Sequence, residues 1–434
     1  MKTSVRSRKL IKPSTPTPPN LRSYKISAMD EINPTMHVIR ILYYQSFDEK
    51  MTKNFEESLA RVLTLFYPLA GRYVKDKHFV DCNDEGAVCL EARVDCELHQ
   101  ILNPPVNSEL SWLNNLLPVG VGEADDPTDP MLAVQLNKFQ GGGLAIGVCA
   151  SYRIFDSYSM SMFLAAWSND ATGGDPIVKP DFDSTSIFPA EDAAPLFFEV
   201  SRVPDHSIVI KRFVFDKDAI SRLRDRANPG WKPNTSTERP PSRVAVVSAL
   251  LTQALLRADM AKLGGRSRVA NVLQVVNVRE RTVPPVSKYT CGTWVSTSGF
   301  EYTADECCRL EYREIVSKMR ETLIQGVKDC EKILSDKAFG RWALIDVNID
   351  AAKKAASSDY KVLWFTDWSK FGEYGLDFGW GKPIWVSLSN AYVPDLVTLM
   401  NTKENDGIEA WVYLHESDMV YFEQDEEVIK YITN

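Results

Sequence analysis

The stretch that most constrains the fold is "GLAIGVCASYRIFDSYSMSMFLAAW", residues 143–167. An apolar run over residues 144–149 predicts a buried strand, which ends at a polar step. A helix is predicted next, because Met160, Phe163 and Trp167 recur at helical spacing. A rigid strand, turn and helix N-terminus can present a side chain into a cleft. The sequence therefore predicts a candidate catalytic corner here.

Other segments place helices and strands in both halves of the chain. The predicted elements are a strand at 36–45, an amphipathic helix at 55–72 stopped by Pro68, a hairpin at 78–94, a second hairpin at 130–151 that turns at Gly141, Gly142 and Gly143, a strand and helix at 207–227 with Asp216 or Lys217 near the N-cap, and a buried helix at 242–263. This mixture predicts an α/β (α+β) protein with a cleft between two layers.

The chain length bears on the number of domains. At 434 residues the chain is too long for one ordinary domain. We expect an N-terminal domain at 1–180, an irregular crossover at 181–206 and a C-terminal domain at 207–434. An apolar content of 44% and a charged content of 25% are typical of a soluble globular protein.

Charge and composition also limit the partners. A net charge of -8 without long basic runs predicts no nucleic-acid partner, and we find no apolar segment near the roughly 20 residues of a membrane span. The eight cysteines and five histidines lack ligand spacing, so we expect no metal and no disulfide framework. The basic N-terminus lacks the apolar core of a secretory signal, so we expect a cytoplasmic protein, and a monomer.

Several motifs together carry a family resemblance. They are "FYPLAGR" at 66–72, "VDCNDEGAVCLEARV" at 80–94, the corner described above, "VVNVRER" at 275–281 and "LDFGWGKPIW" at 376–385. Their order resembles that of plant BAHD acyltransferases over essentially the whole chain. The segments "RKLIKPSTPTPPNLRSYKISAMDE" and "DGIEAWVYLHESDM" are most similar to the alkaloid-acylating branch.

The resemblance implies two similar-sized domains of the chloramphenicol-acetyltransferase kind with a solvent channel between them. Acyl-CoA, such as acetyl-CoA, would enter from one face as co-substrate, and a small-molecule alcohol or amine would enter from the other. No cofactor would remain bound. The resemblance thus implies an acyltransferase of plant specialised metabolism, and the similarity to the alkaloid-acylating branch implies an alkaloid as its acceptor.

The family motif His-x-x-x-Asp maps onto the corner with one change. Tyr152 stands at the position of the histidine, and Asp156 at that of the aspartate. In the family the histidine takes the proton of the acceptor. A tyrosine of pKa ~10 is only about one part in a thousand ionised at pH 7. General base catalysis is typically worth ~10²–10⁴ in rate, so its loss would be severe. Tyr152 could still donate a hydrogen bond, whereas Arg153 should point to the other side.

The resemblance assigns Asp156 a structural partner. The family aspartate pairs with an arginine of the second domain, and Arg279 is the match. Such a pair would hold the turn and join the domains. The alternative is an unpaired surface aspartate at a helix N-terminus.

The pentapeptide Asp377-Phe378-Gly379-Trp380-Gly381 is structural by the same resemblance. Asp377 would bond locally, the two glycines would allow a turn that side chains forbid, and Trp380 would pack. The motif identifies the family without identifying the reaction.

Further candidates come from the resemblance. Thr366 and Trp368 match a channel-side step where a hydroxyl and an indole N–H meet a substrate oxygen, with plain packing as the alternative. Ser151 and Thr293 are further channel positions, although Ser151 could equally cap or pack. His37 could be a pocket residue or a surrogate base, and otherwise a satisfied half-buried histidine.

Two departures accompany the lost histidine. Thr293 stands where relatives usually carry Asn, and Thr252-Gln253 stand where they often carry Trp-Lys. Three hypotheses follow. The first is an acyltransferase in which Tyr152 orients the substrates, and the second is a non-acylating lyase, cyclase or rearrangement enzyme with Tyr152 as general acid. The third is a non-catalytic binder. The fold alone does not decide among them.

Overall fold

The structure of the protein is a computed structural model. It describes residues 1–32, 36–102, 104, 108–121, 126, 128–174, 178–189, 205–229, 239–336 and 340–433. The predicted crossover at 181–206 lies largely outside these residues, and the predicted domain boundaries stay a prediction.

The strands alternate with helices along the chain. The strands are β1 (Thr3–Ile11), β2 (Ser23–Lys25), β3 (His37–Tyr44), β4 (Arg72–Val74), β5 (Phe79–Asp81), β6 (Ala87–Glu97), β7 (Leu132–Gln140), β8 (Leu144–Ser151), β9 (Ile208–Phe215), β10 (Val269–Asn277), β11 (Val295–Tyr302), β12 (Tyr360–Asp367), β13 (Trp385–Ser387), β14 (Leu396–Asn401) and β15 (Ile408–His415).

The α-helices vary from single turns to 20 residues. They are α1 (Ala28–Glu31), α2 (Lys50–Leu65), α3 (Ser157–Ala171), α4 (Ser184–Ile187), α5 (Lys217–Ala227), α6 (Arg243–Lys262), α7 (Ala304–Cys307), α8 (Tyr312–Cys330), α9 (Lys332–Ser335), α10 (Gly340–Ala355), α11 (Glu416–Phe422) and α12 (Glu426–Ile429). Short 3-10 helices lie at Pro19–Leu21, Tyr67–Ala70, Lys75–Lys77, Leu98–Gln100, Ser111–Leu116 and Glu373–Gly375.

Within the described residues, the strands form two six-stranded sheets and one of three strands. The first sheet has the order β1-β6-β7-β8-β3-β13, and the second has β11-β10-β12-β14-β15-β9. The strand β13 comes from the C-terminal part of the chain but pairs antiparallel with β3. The two parts of the chain are therefore joined by backbone pairing.

The sequence pattern predicted most of the elements around the site. The strand at 36–45 and the hairpin of β7 and β8 are confirmed, with Gly141 and Gly142 at positive φ in the turn. The helix α2 ends at Leu65, and its C-cap Phe66 lies two residues before Pro68. Asp216 is the N-cap of α5, as predicted, and its carboxylate accepts the N–H of Ala219.

The predicted hairpin at 78–94 is wrong. The strand β5 pairs with β2 and β4 in the small sheet, whereas β6 pairs with β1 and β7 in the first sheet. The turn between them contains Gly86 at φ +101, where an added Cβ would lie 2.6 Å from the carbonyl oxygen of Ile11. The turn thus carries the chain from one sheet to another, because tertiary partners outcompete the local pairing.

The helix α6 corrects a second expectation. By length and composition, Arg243–Lys262 would suffice to cross a membrane, contrary to the expectation that no such segment exists. However, 72% of its apolar window is buried inside the protein, as in the core helix of a globular protein. Its apolar character is explained by packing between α5, α8 and α11.

Candidate active site

The turn after β8 is fixed by backbone hydrogen bonds on both sides. The N–H of Tyr152 donates to the Met36 carbonyl at 3.0 Å, and that of Ser151 donates to Met131 at 2.9 Å. The Ser151 hydroxyl accepts the N–H of Arg153 at 3.3 Å. Ser151 therefore caps the turn, and Tyr152 is presented from a rigid scaffold.

Tyr152 is half-buried against the core around the first sheet. Burial raises the pKa of its phenol, and the negative charges of Asp156 and Asp30 raise it further, while Arg279 opposes the shift. Among the described residues, no group of the protein bonds the Tyr152 hydroxyl. The phenol is thus neutral at pH 7 and suited to donate a hydrogen bond, not to accept a proton.

The neighbouring Arg153 is buried and engaged elsewhere. Its Nη1 donates to the Glu31 carbonyl at 3.2 Å and lies 3.6 Å from the Glu31 carboxylate. Its guanidinium also lies 5.5 Å from the ring centre of Tyr73. Arg153 therefore anchors the turn to α1, and its charge is balanced there.

Asp156 joins the start of α3 to the second sheet. Its carboxylate accepts the N–H and the hydroxyl of Ser159, each at 2.8 Å. Arg279 donates to its two oxygens at 2.7 and 3.1 Å, and the N–H of Trp294 donates at 3.2 Å. Asp156 and Arg279 are both buried. The ion pair that the resemblance implies is present, and the alternative of a surface aspartate is wrong.

The segment 292–294 connects two buried carboxylates. The N–H of Thr293 donates to Asp30 at 2.6 Å, and the next N–H, of Trp294, donates to Asp156. Gly292 has φ +107, and an added Cβ there would lie 3.3 Å from the Asp30 carboxylate. A glycine is required because side chains rarely adopt this backbone conformation. Thr293 is thus buried at a junction between α1 and α3.

Asp30 is a buried carboxylate near the corner that was not among the predicted site residues. Burial raises the pKa of its carboxyl to about 6, although hydrogen bonds from Ser27 and Thr293 oppose the shift. Ser27 and Asp30 form a capping box at the start of α1. The spacing of a serine and an acidic residue three positions later could have revealed this role. That Asp30 lies close enough to Tyr152 to affect its pKa follows only from the tertiary structure.

His37 lies beside the turn. It begins β3 and is the direct register partner of Ser151, one residue before Tyr152. Its side chain is 3% exposed. Strand pairing therefore brings this imidazole to the same end of the sheet as the phenol.

Thr366 and Trp368 bond each other. The Trp368 Nε1 donates to the Thr366 hydroxyl at 2.9 Å. The guanidinium of Arg40 lies 4.0 Å from the centre of the Trp368 ring, and Arg40 forms a buried ion pair with Glu373. Arg40 belongs to β3, so this cluster connects the strand of His37 to the loop after β12.

A cavity of about 530 Å³ opens beside this cluster. It is lined by Arg243, Trp368, Ser369, Lys370, Gly372, Glu373, Tyr374, Gly375, Met400, Asn401, Thr402, Lys403 and Asn405. Three cations, Arg243, Lys370 and Lys403, thus share its wall with Trp368. None of the three was among the predicted site residues, because they come from separate loops and a helix start.

The pentapeptide 377–381 behaves as predicted. The Asp377 carboxylate accepts the N–H groups of Gly379 at 2.7 Å and Gly381 at 3.0 Å, and both glycines have positive φ. The N–H of Asp377 donates to the hydroxyl of Ser168. Ser168 lies twelve residues after Asp156 on α3, which is about 18 Å along the axis. The motif therefore supports the scaffold at a distance from the corner.

Its two aromatic residues pack. Phe378 is fully buried, and its ring lies 5.5 Å from that of Phe55 and 4.9 Å from that of Trp167. Trp380 packs 5.3 Å from Phe55 and from Phe47. These contacts tie the loop to α2 and α3.

The departure at Thr252-Gln253 is accommodated inside α6. The Thr252 hydroxyl donates to the Ser248 carbonyl, and the Gln253 amide donates to the Leu310 carbonyl at 2.8 Å. Gln253 also lines a second cavity of about 760 Å³, together with Arg226. These contacts give both residues a structural role in this chain.

Comparisons with known proteins agree along the whole chain. The sequence model described as "Transferase family" matches residues 1–429. A malonyltransferase of Salvia splendens, named for pelargonidin 3-O-(6-caffeoylglucoside) 5-O-(6-O-malonylglucoside), is 36% identical over 427 residues, which cover 97% of each chain. Vinorine synthase of Rauvolfia serpentina is 35% identical over 423 residues, covering 95% of this chain and 94% of its own.

Solved structures give the same architecture. The crystal structure of vinorine synthase has a TM-score of 0.83 and 32% identity, covering 99% of this chain and 98% of its own. The crystal structure of F. sporotrichioides TRI101 complexed with coenzyme A and T-2 has a TM-score of 0.65 at 18% identity, covering 95% and 99%. The second likeness concerns the fold alone. The chain belongs to the plant BAHD acyltransferases of the Transferase family.

Proposed function

We propose that this BAHD acyltransferase transfers an acyl group from acyl-CoA to a hydroxyl or amine of a small plant metabolite, with Tyr152 acting as a neutral hydrogen-bond donor. The observation that carries the proposal is the corner itself. Asp156 and Arg279 hold the turn in place, while burial, with the charges of Asp156 and Asp30 adding to it, raises the pKa of the adjacent phenol and keeps it protonated. The relatives named above support acyl transfer, and the coenzyme A in the TRI101 complex supports a CoA thioester as donor.

The bonding changes in this reaction are simple. The acceptor oxygen or nitrogen attacks the thioester carbonyl, the new C–O or C–N bond forms and the C–S bond breaks. The proton of the acceptor ends on the thiol of CoA. A phenol at Tyr152 would stabilise the negative oxygen that develops on the carbonyl, because a preorganised donor costs little rearrangement at the moment of reaction.

His37 is the candidate for the missing base. It is buried and its register partner precedes Tyr152 by one residue. An imidazole has an ordinary pKa of ~6.5 and accepts protons near neutral pH. An acceptor amine that is already nucleophilic would need less help from it.

The cationic cavity is proposed to take the phosphate end of CoA. Arg243, Lys370 and Lys403 line it, and cationic side chains favour phosphate groups. Trp368 lies on the same wall, so a CoA arm leaving this cavity would pass the pair formed by Trp368 and Thr366. Binding of CoA in this cavity would then by itself bring the thioester close to the corner.

One observation favours a second reaction class. The phenol of Tyr152 is kept protonated, which suits a general acid. An elimination, cyclisation or rearrangement of a specialised metabolite would use such an acid without any CoA thioester. This alternative makes the use of acetyl-CoA the deciding measurement.

The deciding experiment supplies the purified protein with a plant metabolite extract, with and without acetyl-CoA. Acyl transfer requires that free CoA and an acetylated product appear only when acetyl-CoA is present. A product that forms equally without acetyl-CoA would support the second reaction class.

A monomeric state is part of the proposal and is tested by size-exclusion chromatography with light scattering. A cytoplasmic location is also part of it, and the eight free thiols agree with a reducing compartment.

A further inference from the structure

Tyr158 lies beside the ion pair that holds the corner. It follows the N-cap Asp156 by two residues, in the first turn of α3, and its side chain is half-buried. The guanidinium carbon of Arg279 lies over its ring, 5.0 Å from the ring centre. A cation within about 6 Å of an aromatic face is attracted to it. Tyr158 therefore stabilises the position of the guanidinium that bonds Asp156.

A second ring joins Tyr158 to the loop after β12. The ring centres of Tyr158 and Phe371 are 6.0 Å apart and the planes cross at 78°, an edge-to-face arrangement that aromatic pairs prefer. Phe371 stacks in turn on Trp368, with ring centres 6.1 Å apart. Trp368 lines the cationic cavity. A continuous row of contacts therefore runs from Arg279 at the corner to the wall of the cavity.

The loop 368–375 forms much of that wall. Seven of its eight residues line the cavity, and Phe371 is the exception. The ring of Phe371 packs against Tyr158, whereas its neighbour Lys370 is exposed and lines the cavity. One short loop thus carries both a cation of the cavity and the ring that contacts α3.

The base of this loop is fixed. The N–H of Trp368 donates to the Leu399 carbonyl at 2.8 Å, and its Nε1 donates to the Thr366 hydroxyl. The guanidinium of Arg40 lies 4.0 Å from the centre of the Trp368 ring. Close-packed side chains transmit displacements and absorb little of them. A restraint on the tip of the loop is therefore passed to α3 through the aromatic contact.

Binding energy from a remote part of a substrate can orient the groups at the reacting centre. Lys370 lines the cavity proposed for the phosphates of CoA. A phosphate bound to Lys370 would restrain the loop, and Phe371 would then hold Tyr158 against Arg279. The first turn of α3 would open less often as a result.

We propose that Tyr158 is a positioning residue that couples the phosphate end of CoA in the cationic cavity to the Asp156–Arg279 pair. It acts through Phe371 on one side and through Arg279 on the other, so it needs no contact with the reacting atoms. The inference rests on the proposed function, because it takes this cavity as the site of the CoA phosphates. Contact alone does not establish coupling, so the tests measure the coupling itself.

The first test follows hydrogen exchange with adenosine 3′,5′-bisphosphate as the probe. This nucleotide lacks the arm that carries the thiol of CoA, so it has no group that could extend from the cavity and shield α3 directly. It should slow exchange about three-fold or more in the loop 368–375 and also at the N–H groups of Ser159 and Met160, which bond to Asp156. Slower exchange in the loop alone, or in neither segment, would overturn the proposal.

Variants separate coupling from binding in the same experiment. Tyr158→Ala should abolish the effect on α3 and keep the effect on the loop, which reports that the probe still binds. Tyr158→Phe keeps the ring and should restore the effect on α3. Phe47→Ala is the matched control and should behave as the wild type, because Phe47 is also half-buried and contacts one ring, Trp380, at 5.3 Å and one cation, Lys138, at 4.7 Å. An effect on α3 that survives in Tyr158→Ala would contradict the proposal.

The second test compares acetyl-CoA with S-acetylpantetheine, which lacks the nucleotide, at a fixed amount of the plant metabolite extract. Tyr158→Ala should lower the apparent kcat for acetyl-CoA about five-fold or more and leave its KM within about two-fold. The rate with S-acetylpantetheine should fall by less than about two-fold, because this donor leaves the cavity empty. Equal losses with the two donors would show a merely structural role and overturn the proposal.

Failure of this inference and failure of the proposed function give different results. An effect of the nucleotide on α3 without any release of CoA from acetyl-CoA would contradict acyl transfer and leave the coupling in place. Release of CoA without an effect of the nucleotide on α3 would contradict the coupling and leave acyl transfer in place.

Discussion

Arg279 donates a hydrogen bond to each carboxylate oxygen of Asp156, at 2.7 and 3.1 Å, although the two residues lie 123 positions apart in the chain. The pair is buried, and it fixes the start of α3 to the segment after β10. The pair therefore sets the geometry of the corner, whereas the raised pKa of Tyr152 comes first from burial, with the charge of Asp156 adding to the rise and that of Arg279 opposing it.

Breaking this pair should be costly. Removing one partner of a buried ion pair typically costs about 3–5 kcal/mol, since the other charge is left uncompensated. We therefore expect Arg279→Met to lower the free energy of unfolding by that amount in urea denaturation. Arg61→Met is the control, because Arg61 pairs with Asp170 at the surface and should cost at most about 1 kcal/mol. Similar losses for the two variants would contradict the role given to Arg279.

Tyr152 should not act as a base at neutral pH. Because its pKa is raised, the rate of CoA release should not increase between pH 7 and 9 through ionisation of the phenol. Tyr152→His should raise the rate at least ten-fold and add a limb that rises with pH near ~6.5, where imidazole loses its proton. Tyr152→Phe should lower the rate, since it removes the donor. The three pH–rate profiles check this, and an unchanged rate in the Phe variant would exclude hydrogen-bond donation.

Asp30 should make stability depend on pH. Its pKa in the folded protein is about 6, above the ordinary 3.8, so the folded state binds this proton more tightly than the unfolded state. Its contribution to stability is therefore present below pH 3.8 and is lost as pH rises through about 6, by about 3 kcal/mol. The difference in unfolding free energy between wild type and Asp30→Asn should decline over that interval. Asp359→Asn is the control, because it makes the same exchange at an exposed position. A difference for Asp30→Asn that does not change with pH would refute this account.

The cationic cavity should set the affinity for acyl-CoA. Lys370→Met and Lys403→Met should each raise the KM for acetyl-CoA about three- to ten-fold at low salt, with little change in kcat. Lys382→Met serves as the control, because Lys382 is exposed but does not line the cavity. Steady-state kinetics at two ionic strengths provide the measurement. Equal effects of all three variants would mean that only general surface charge matters.

The loop at 377–381 should matter for stability and not for chemistry. Asp377→Ala removes the acceptor of two backbone N–H groups and should destabilise the protein by about 1–3 kcal/mol. Asp377→Asn keeps an oxygen acceptor at that position and should lose less. Thermal unfolding and the rate per folded molecule separate the two effects. A lowered rate in fully folded Asp377→Ala would instead place the loop in the reaction.

The sequence by itself determined the elements whose cause is local. The apolar run of β8, the capped start of α3, the helix stopped before Pro68 and the glycines of the 377–381 turn each follow from periodicity or from backbone conformation. The motifs in chain order also indicated the family and the exchange of histidine for Tyr152. These properties depend on near neighbours, which a sequence displays directly.

Only the tertiary structure decided what surrounds Tyr152. Asp30 and Arg279 lie far from residue 152 in the chain, and their charges act on its phenol only because the fold brings them close to it. The hairpin predicted at 78–94 failed for the same reason, because β6 finds better partners in β1 and β7 than in β5. Pairing and desolvation depend on which segments meet, and the linear order of residues does not specify those meetings.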